Sequence, residues 1–191
     1  MHKVDSLTNL PKGLPEPLDD GACDHLLGIN IREYSIYVND LLGDEITCRD
    51  IFSKDTVLFI YPMMGQPGSS LPDGWDTIPG ARGCTPQACK YRDNITAITD
   101  LGYQVIGLSS QEYSIQRALS SYYNLGYALF SDENMQLKKY LNIPTFSHQS
   151  EEYYKRVTLI IKGGVIKRFF YPIFPSDSDI ELVLNHLQCS G

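Results

Sequence analysis

Residues 56–61, Thr56-Val57-Leu58-Phe59-Ile60-Tyr61, are apolar, β-branched or aromatic at every position. Successive side chains of a strand point to opposite faces, so a segment with no polar face needs cover on both sides. This makes it a central strand in a sheet that carries layers on each face. The rest of the pattern supplies those layers. Residues 86–101 read as a helix, with Ala88, Ile95, Ile98 and Leu101 apolar and Gly102 at the stop position. Residues 103–108 are the next core strand, and 112–123 and 133–140 read as helices. Residues 157–161 and 165–170 flank Lys162-Gly163-Gly164, a tight hairpin turn. A closing helix over 177–187 sets Ile180, Val183, Leu184 and Leu187 on one face. Upstream, residues 29–38 alternate and predict a strand, with 46–48 as its short partner. Residues 1–25 are rich in Pro and Gly and lack periodicity, so a surface arm is expected there, leaving 26–191 as the domain. The expected class is α/β: a mixed central sheet flanked by helices.

Composition narrows the function. A chain of 191 residues, 42% hydrophobic and 20% charged, can bury a core as one domain. Its net charge of −7 speaks against a nucleic-acid partner. No apolar run approaches the ~20 residues of a membrane span. Met1-His2-Lys3-Val4-Asp5-Ser6 lacks the apolar core of a signal peptide. Five cysteines form no even disulfide framework and point to a reducing, cytoplasmic setting with thiol chemistry.

Gly83-Cys84-Thr85-Pro86-Gln87-Ala88-Cys89 carries that chemistry. Thr85 suits an N-cap and Pro86 the first helical position, with Thr85 at the boundary because residues before proline avoid helical geometry. Cys84 then sits at a helix mouth, where backbone N–H groups and the dipole favour the reactive thiolate. Five residues of helix separate two Cα atoms by about 8.5 Å, whereas a disulfide needs about 7 Å or less. Cys84 and Cys89 therefore bond only if the helix unwinds, which suits a redox switch better than a permanent crosslink.

The segment Gly-Cys-Thr-x-Gln-Ala-Cys followed by Arg92-Asp93 resembles the active site of the peroxiredoxins, and within them the bacterioferritin-comigratory-protein or Q-type subgroup. The likeness extends through Tyr61-Pro62, Val105-Ile-Gly-Leu-Ser-Ser110, Phe130-Ser-Asp-Glu133 and Arg156-Val-Thr-Leu-Ile-Ile161. It implies a thioredoxin-like fold, with Val157 standing where thioredoxins place a cis-proline. It also implies thiol peroxidase activity on hydrogen peroxide and organic hydroperoxides. Cys84 would be the peroxidatic and Cys89 the resolving cysteine, with Arg156 holding the thiolate. No bound cofactor or metal is implied. Recycling would use thioredoxin or a similar dithiol, and a monomer or weak homodimer suffices.

The chain departs from the family pattern at two positions. Thr77 and Ala81 replace the proline and threonine usual seven and three residues before the cysteine, and a Gly/Pro-dense insertion fills residues 63–82 as a loop near the site. Thr77, Thr85 and Gly83 are therefore the candidate peroxide-binding positions, and Arg82 or Arg92 are rivals to Arg156. Trp75 and Tyr61 are candidates for the pocket wall. Cys48 reads as a core residue in a strand, and Cys189 lies near the C-terminus. A peroxide sensor or a thiol–disulfide oxidoreductase would use the same cysteines. A zinc module built from Cys23, His25, Cys84 and Cys89 is the remaining alternative.

Overall fold

A computed structural model describes residues 6–189, so the expected arm is seen from residue 6 onward. In chain order the elements are β1 (Tyr37–Asn39), β2 (Glu45–Thr47), α1 (Cys48–Ile51), β3 (Thr56–Ile60), α2 (Cys84–Asp93), α3 (Ile95–Asp100), β4 (Gln104–Ser109), α4 (Tyr113–Tyr123), β5 (Ala128–Ser131), α5 (Gln136–Leu141), β6 (Thr145–His148), β7 (Glu151–Tyr154), β8 (Val157–Lys162), β9 (Val165–Phe170) and α6 (Asp179–Cys189). Seven strands form one sheet in the order β2-β1-β5-β4-β3-β8-β9. Strand β3 lies near its middle, parallel to β4 and antiparallel to β8. This is the mixed α/β arrangement of the thioredoxin-like class.

Strand alternation divides the core. Leu58, Ile60, Ile106, Leu108, Val157 and Leu159 face a layer that includes Cys48 and Ile51 of α1, Leu137 and Leu141 of α5, and Cys23 and Leu26. Val57, Phe59, Val105 and Ile160 face the opposite layer of α2, α3, α4 and α6. On that side Phe59 stacks on Tyr91 of α2, with ring centroids 4.4 Å apart, a pairing that adds about 0.5–1.5 kcal/mol beyond burial. Gly107 permits the close fit, since a Cβ there would lie 2.5 Å from Leu129 and 2.8 Å from Phe59. Strand parity also aims the residue just before β8: Arg156, Thr158 and Ile160 share the face that meets α2 and α6.

Several expectations are corrected. Of the alternating stretch 29–38 only the end is strand, Tyr37 and Val38 of β1, paired with β2 as its short partner; before them lies a 3-10 turn, Ile31–Glu33, capped by the Asn30 side chain. Ile31 and Ile36 are buried outside the strands, so alternation over residues 29–36 records burial only. Cys48 opens helix α1, because Thr47 Oγ1 accepts from Asp50 N and caps it. The expected helix over 86–101 is two helices joined at Asn94, whose side chain donates to Lys90 O. The helix expected over 133–140 begins at Gln136, since the Asp132 carboxylate binds the N–H groups of Gln136 and Leu137. The hairpin β6–β7 was not foreseen. Its turn uses Gln149 (φ 49°) and Ser150 (φ 68°) in left-handed conformations, residues that do not advertise a turn as Asn-Gly would. The cis peptide bonds among the described residues, Tyr171–Pro172 and Phe174–Pro175, both follow β9.

Candidate active site

Helix α2 starts at Cys84, two residues earlier than Pro86 suggests. Its cap is Gly83, with φ +105°, and the Gly83 carbonyl accepts the first helical bond from Gln87 N. Pro86 tolerates the third helical position as well as the first, because all the opening N–H groups lack helical partners. Tertiary contact selects the cap: Ser176 Oγ donates to Gly83 O at 2.8 Å. A Cβ at position 83 would lie 2.0 Å from that hydroxyl oxygen.

Cys84 is 2% exposed. Arg156 Nη2 reaches its Sγ at 3.3 Å, and Met63 N–H points to it at 3.4 Å. As a thiol, Sγ donates to Ala81 O at 3.7 Å. Arg156 is itself buried and held by the carbonyls of Gly80, Ala81 and Arg82 at 3.2–3.3 Å, while its Nη1 donates to Gln87 Oε1. The rival arginines are occupied elsewhere. Arg82 pairs with Asp76 at 3.1 Å, and Arg92 with Asp93 and the Tyr123 carbonyl. The guanidinium in hydrogen-bond contact with the sulfur is that of Arg156.

Cys89 lies on the same helix, partly buried against the α2-side core. No disulfide joins it to Cys84. Thr85 is buried beside Cys84 and lines, with Leu7, Met63, Leu71, Trp75 and Arg82, a cavity of about 10 Å³ over the sulfur. That space holds about one water-sized molecule. Leu7 and Leu71 close over it across Gly65, where a Cβ would lie 2.7 Å and 3.0 Å from them.

The structure does not bring Thr77 to the sulfur. Its hydroxyl donates to Gly74 O at 2.6 Å, and it borders a wider outer depression of about 480 Å³ that shares Leu7, Leu71, Trp75 and Arg82 with the cavity. Trp75 is anchored there against Tyr153 and Phe146, with centroids 4.9 and 5.8 Å away. Tyr61 is not a wall residue; it is fully buried and donates to Gln116.

The zinc reading fails on placement. Cys23 belongs to the core on the other face of the sheet from Cys84. Burial first, then Asp20, Asp19 and Asp24, push the Cys23 thiol up to about 12. His25 Nε2 bonds the Leu141 carbonyl. Cys48 is likewise buried and pushed up to about 12, mainly by burial, and Cys189 is exposed at the end of α6.

Four candidate site residues were missed: Met63, whose N–H reaches the sulfur; Leu7, which lines the cavity over it; Gln87, which accepts from Arg156; and Asp179 at the start of α6, whose carboxylate accepts from Gln87 Nε2 at 2.7 Å. Gln87 stands inside the cysteine motif and could have been singled out. Leu7, Met63 and Asp179 carry no local signal.

A Redoxin family model matches residues 38–184. Among curated proteins, "Peroxiredoxin Q, chloroplastic" of Suaeda salsa is 27% identical over 152 residues, covering 79% of this chain and 63% of the relative. "Peroxiredoxin bcp1" of Schizosaccharomyces pombe is 32% identical over 132 residues, covering 69% of this chain and 60% of the relative. The chain thus spans about three fifths of the length of these relatives. Among solved structures, peroxidoxin BcpB of Mycobacterium tuberculosis superposes with a TM-score of 0.66 at 19% identity, covering 85% of this chain and 96% of that one. A peroxiredoxin Q of Xanthomonas campestris gives 0.67 at 15% identity, covering 87% and 98%.

Proposed function

The chain belongs to the Redoxin family, and from that membership and the site geometry we propose that it is a thiol peroxidase with Cys84 peroxidatic and Cys89 resolving. The observation that carries this is the 3.3 Å contact of Arg156 Nη2 with Cys84 Sγ at the first turn of α2. A fixed guanidinium and an incoming backbone N–H hold negative charge on the sulfur, and the same donors favour the charge that develops on a peroxide oxygen.

In the reaction, the Cys84 thiolate attacks the terminal oxygen of ROOH. The O–O bond breaks, RO⁻ leaves and takes a proton as ROH, and Cys84 becomes a sulfenic acid. The Cys89 sulfur then attacks the Cys84 sulfur, the S–O bond breaks, and water leaves with formation of the disulfide. Because helical spacing of about 8.5 Å exceeds disulfide reach, the first turns of α2 unwind at this step. A dithiol reductant of the thioredoxin type restores both thiols by exchange.

Hydrogen peroxide, the smallest hydroperoxide, asks the least widening of the small cavity over Cys84. For an organic hydroperoxide, Leu7 or Leu71 swings aside and the substituent extends into the outer depression near Thr77. Thr85 and the Gly83 turn border the peroxide. Both cysteines lie in one helix, so a monomer suffices, and a weak homodimer is compatible. Five cysteines without an even disulfide framework support a reducing compartment such as the cytoplasm. One equivalent of hydrogen peroxide added to the reduced protein should remove two hydrogens, localised to a Cys84–Cys89 link in peptide mass maps. Persistence of both thiols alongside unconsumed peroxide would sink the assignment.

A further inference from the structure

Asp179, the first residue of α6, is fully buried on the α2 face, and nothing in the reaction above uses it. Its Oδ2 accepts from Gln87 Nε2 at 2.7 Å, Tyr91 OH at 2.7 Å and Thr158 Oγ1 at 2.8 Å. Its Oδ1 has no hydrogen-bond partner among the described residues. Gln87 turns its other amide end to Arg156, whose Nη2 reaches Cys84. Carboxylate, amide, guanidinium and sulfur form one continuous chain.

The order of that chain follows from donor and acceptor types. A carboxylate only accepts and a guanidinium only donates, so an amide between them has a single satisfying orientation, NH₂ to Asp179 and oxygen to Arg156. Without the carboxylate, the Gln87 NH₂ loses its buried acceptor, and the side chain is no longer held where its oxygen meets Arg156. Gln87 and Tyr91 stand one helical turn apart, either side of Cys89. Unwinding of α2 around Cys89 therefore takes both donors away from Asp179, so the same carboxylate holds the helix wound.

Resting on the peroxidase reading, we propose that Asp179 is a positioning residue: through Gln87 it aims Arg156 at Cys84, and through Gln87 and Tyr91 it latches α2 in the dithiol state. Asp179→Ala then slows Cys84 oxidation by hydrogen peroxide about 10- to 100-fold in stopped-flow single turnovers. It also speeds closure of the sulfenic acid to the Cys84–Cys89 disulfide and shifts the dithiol–disulfide midpoint toward the disulfide in dithiothreitol titrations. A general loss of structure would instead slow both steps and lower the helical circular dichroism. If Asp179→Ala does not fold, Asp179→Asn carries the test, because it keeps the volume while replacing the charged acceptor of Gln87 and Tyr91 with a neutral amide. Wild-type values for both steps in the folded variant overturn the proposal. Failure of the wild-type protein to react with peroxide would sink the peroxidase reading alone, and the latch would still be read from the midpoint: an unchanged midpoint overturns it.

Discussion

A guanidinium bound to backbone carbonyls through one nitrogen and to an amide through the other cannot turn, and Arg156 is held in this way. Its nitrogen is presented to the sulfur without a further ordering cost when peroxide arrives. Lysine keeps the charge but has one nitrogen, and it cannot bond Gln87, the carbonyls and Sγ together. Arg156→Lys should therefore slow Cys84 oxidation about 10- to 100-fold in stopped-flow measurements, with helical circular dichroism unchanged. A wild-type rate would remove Arg156 from the reaction.

At the scale of elements, two contacts decide how α2 begins and what covers it. Gly83 takes a left-handed φ of +105° and sits against Ser176. In Gly83→Ala both the backbone strain, about 1–3 kcal/mol, and the clash with Ser176 act at the helix start. The expected result is a lower unfolding midpoint together with slower Cys84 oxidation, read by urea denaturation and stopped flow. The cover is apolar: Leu7 from the 3-10 turn Ser6–Thr8 and Leu71 from the inserted loop meet above the sulfur. Leu71→Ala opens the cavity to the outer depression. It should raise kcat/KM for cumene hydroperoxide several-fold relative to hydrogen peroxide; an unchanged ratio would mean that substrate enters by another path.

Across the whole molecule, the segment before the first strand is tied to the far end of the chain. Asp20 accepts from Lys155 at 2.9 Å and from Tyr171 at 2.8 Å. These bonds, Lys155 first, bring the Asp20 carboxyl down from 3.8 to about 2. A carboxyl lowered on folding contributes stability that is present above its ordinary value and lost as pH falls through the lowered one. Asp20 is exposed, so solvent screening holds the contribution to below about 1 kcal/mol. In urea unfolding, Asp20→Asn should be slightly less stable than the wild type at neutral pH, and the gap should close as pH falls from 3.8 toward 2. A gap independent of pH would show that the ion pair does not tether this segment.

The parts of the fold that local pattern could specify were legible in the chain. Residues 56–61 have no polar face and form the central strand; Gly163-Gly164 turns the β8–β9 hairpin. The cysteine spacing places both thiols on one helix. Local pattern misled where burial imitates a strand, at residues 29–36, and where turn residues are ordinary, at Gln149 and Ser150. The site was legible only in part. Which arginine meets Cys84 depends on strand parity and on which helix layer lies over that face, joining residues 72 apart in sequence. The link from Gln87 to Asp179 joins residues 92 apart. By itself the sequence determined backbone dihedrals, amphipathic periods and the presence of a thiol pair at a helix start, because these depend on neighbours a few residues away. Only the tertiary structure decided the cap at Gly83, the cover of Leu7 and Leu71, and the Asp179–Gln87–Arg156 chain, because packing of layers on the sheet brings those groups within bonding distance.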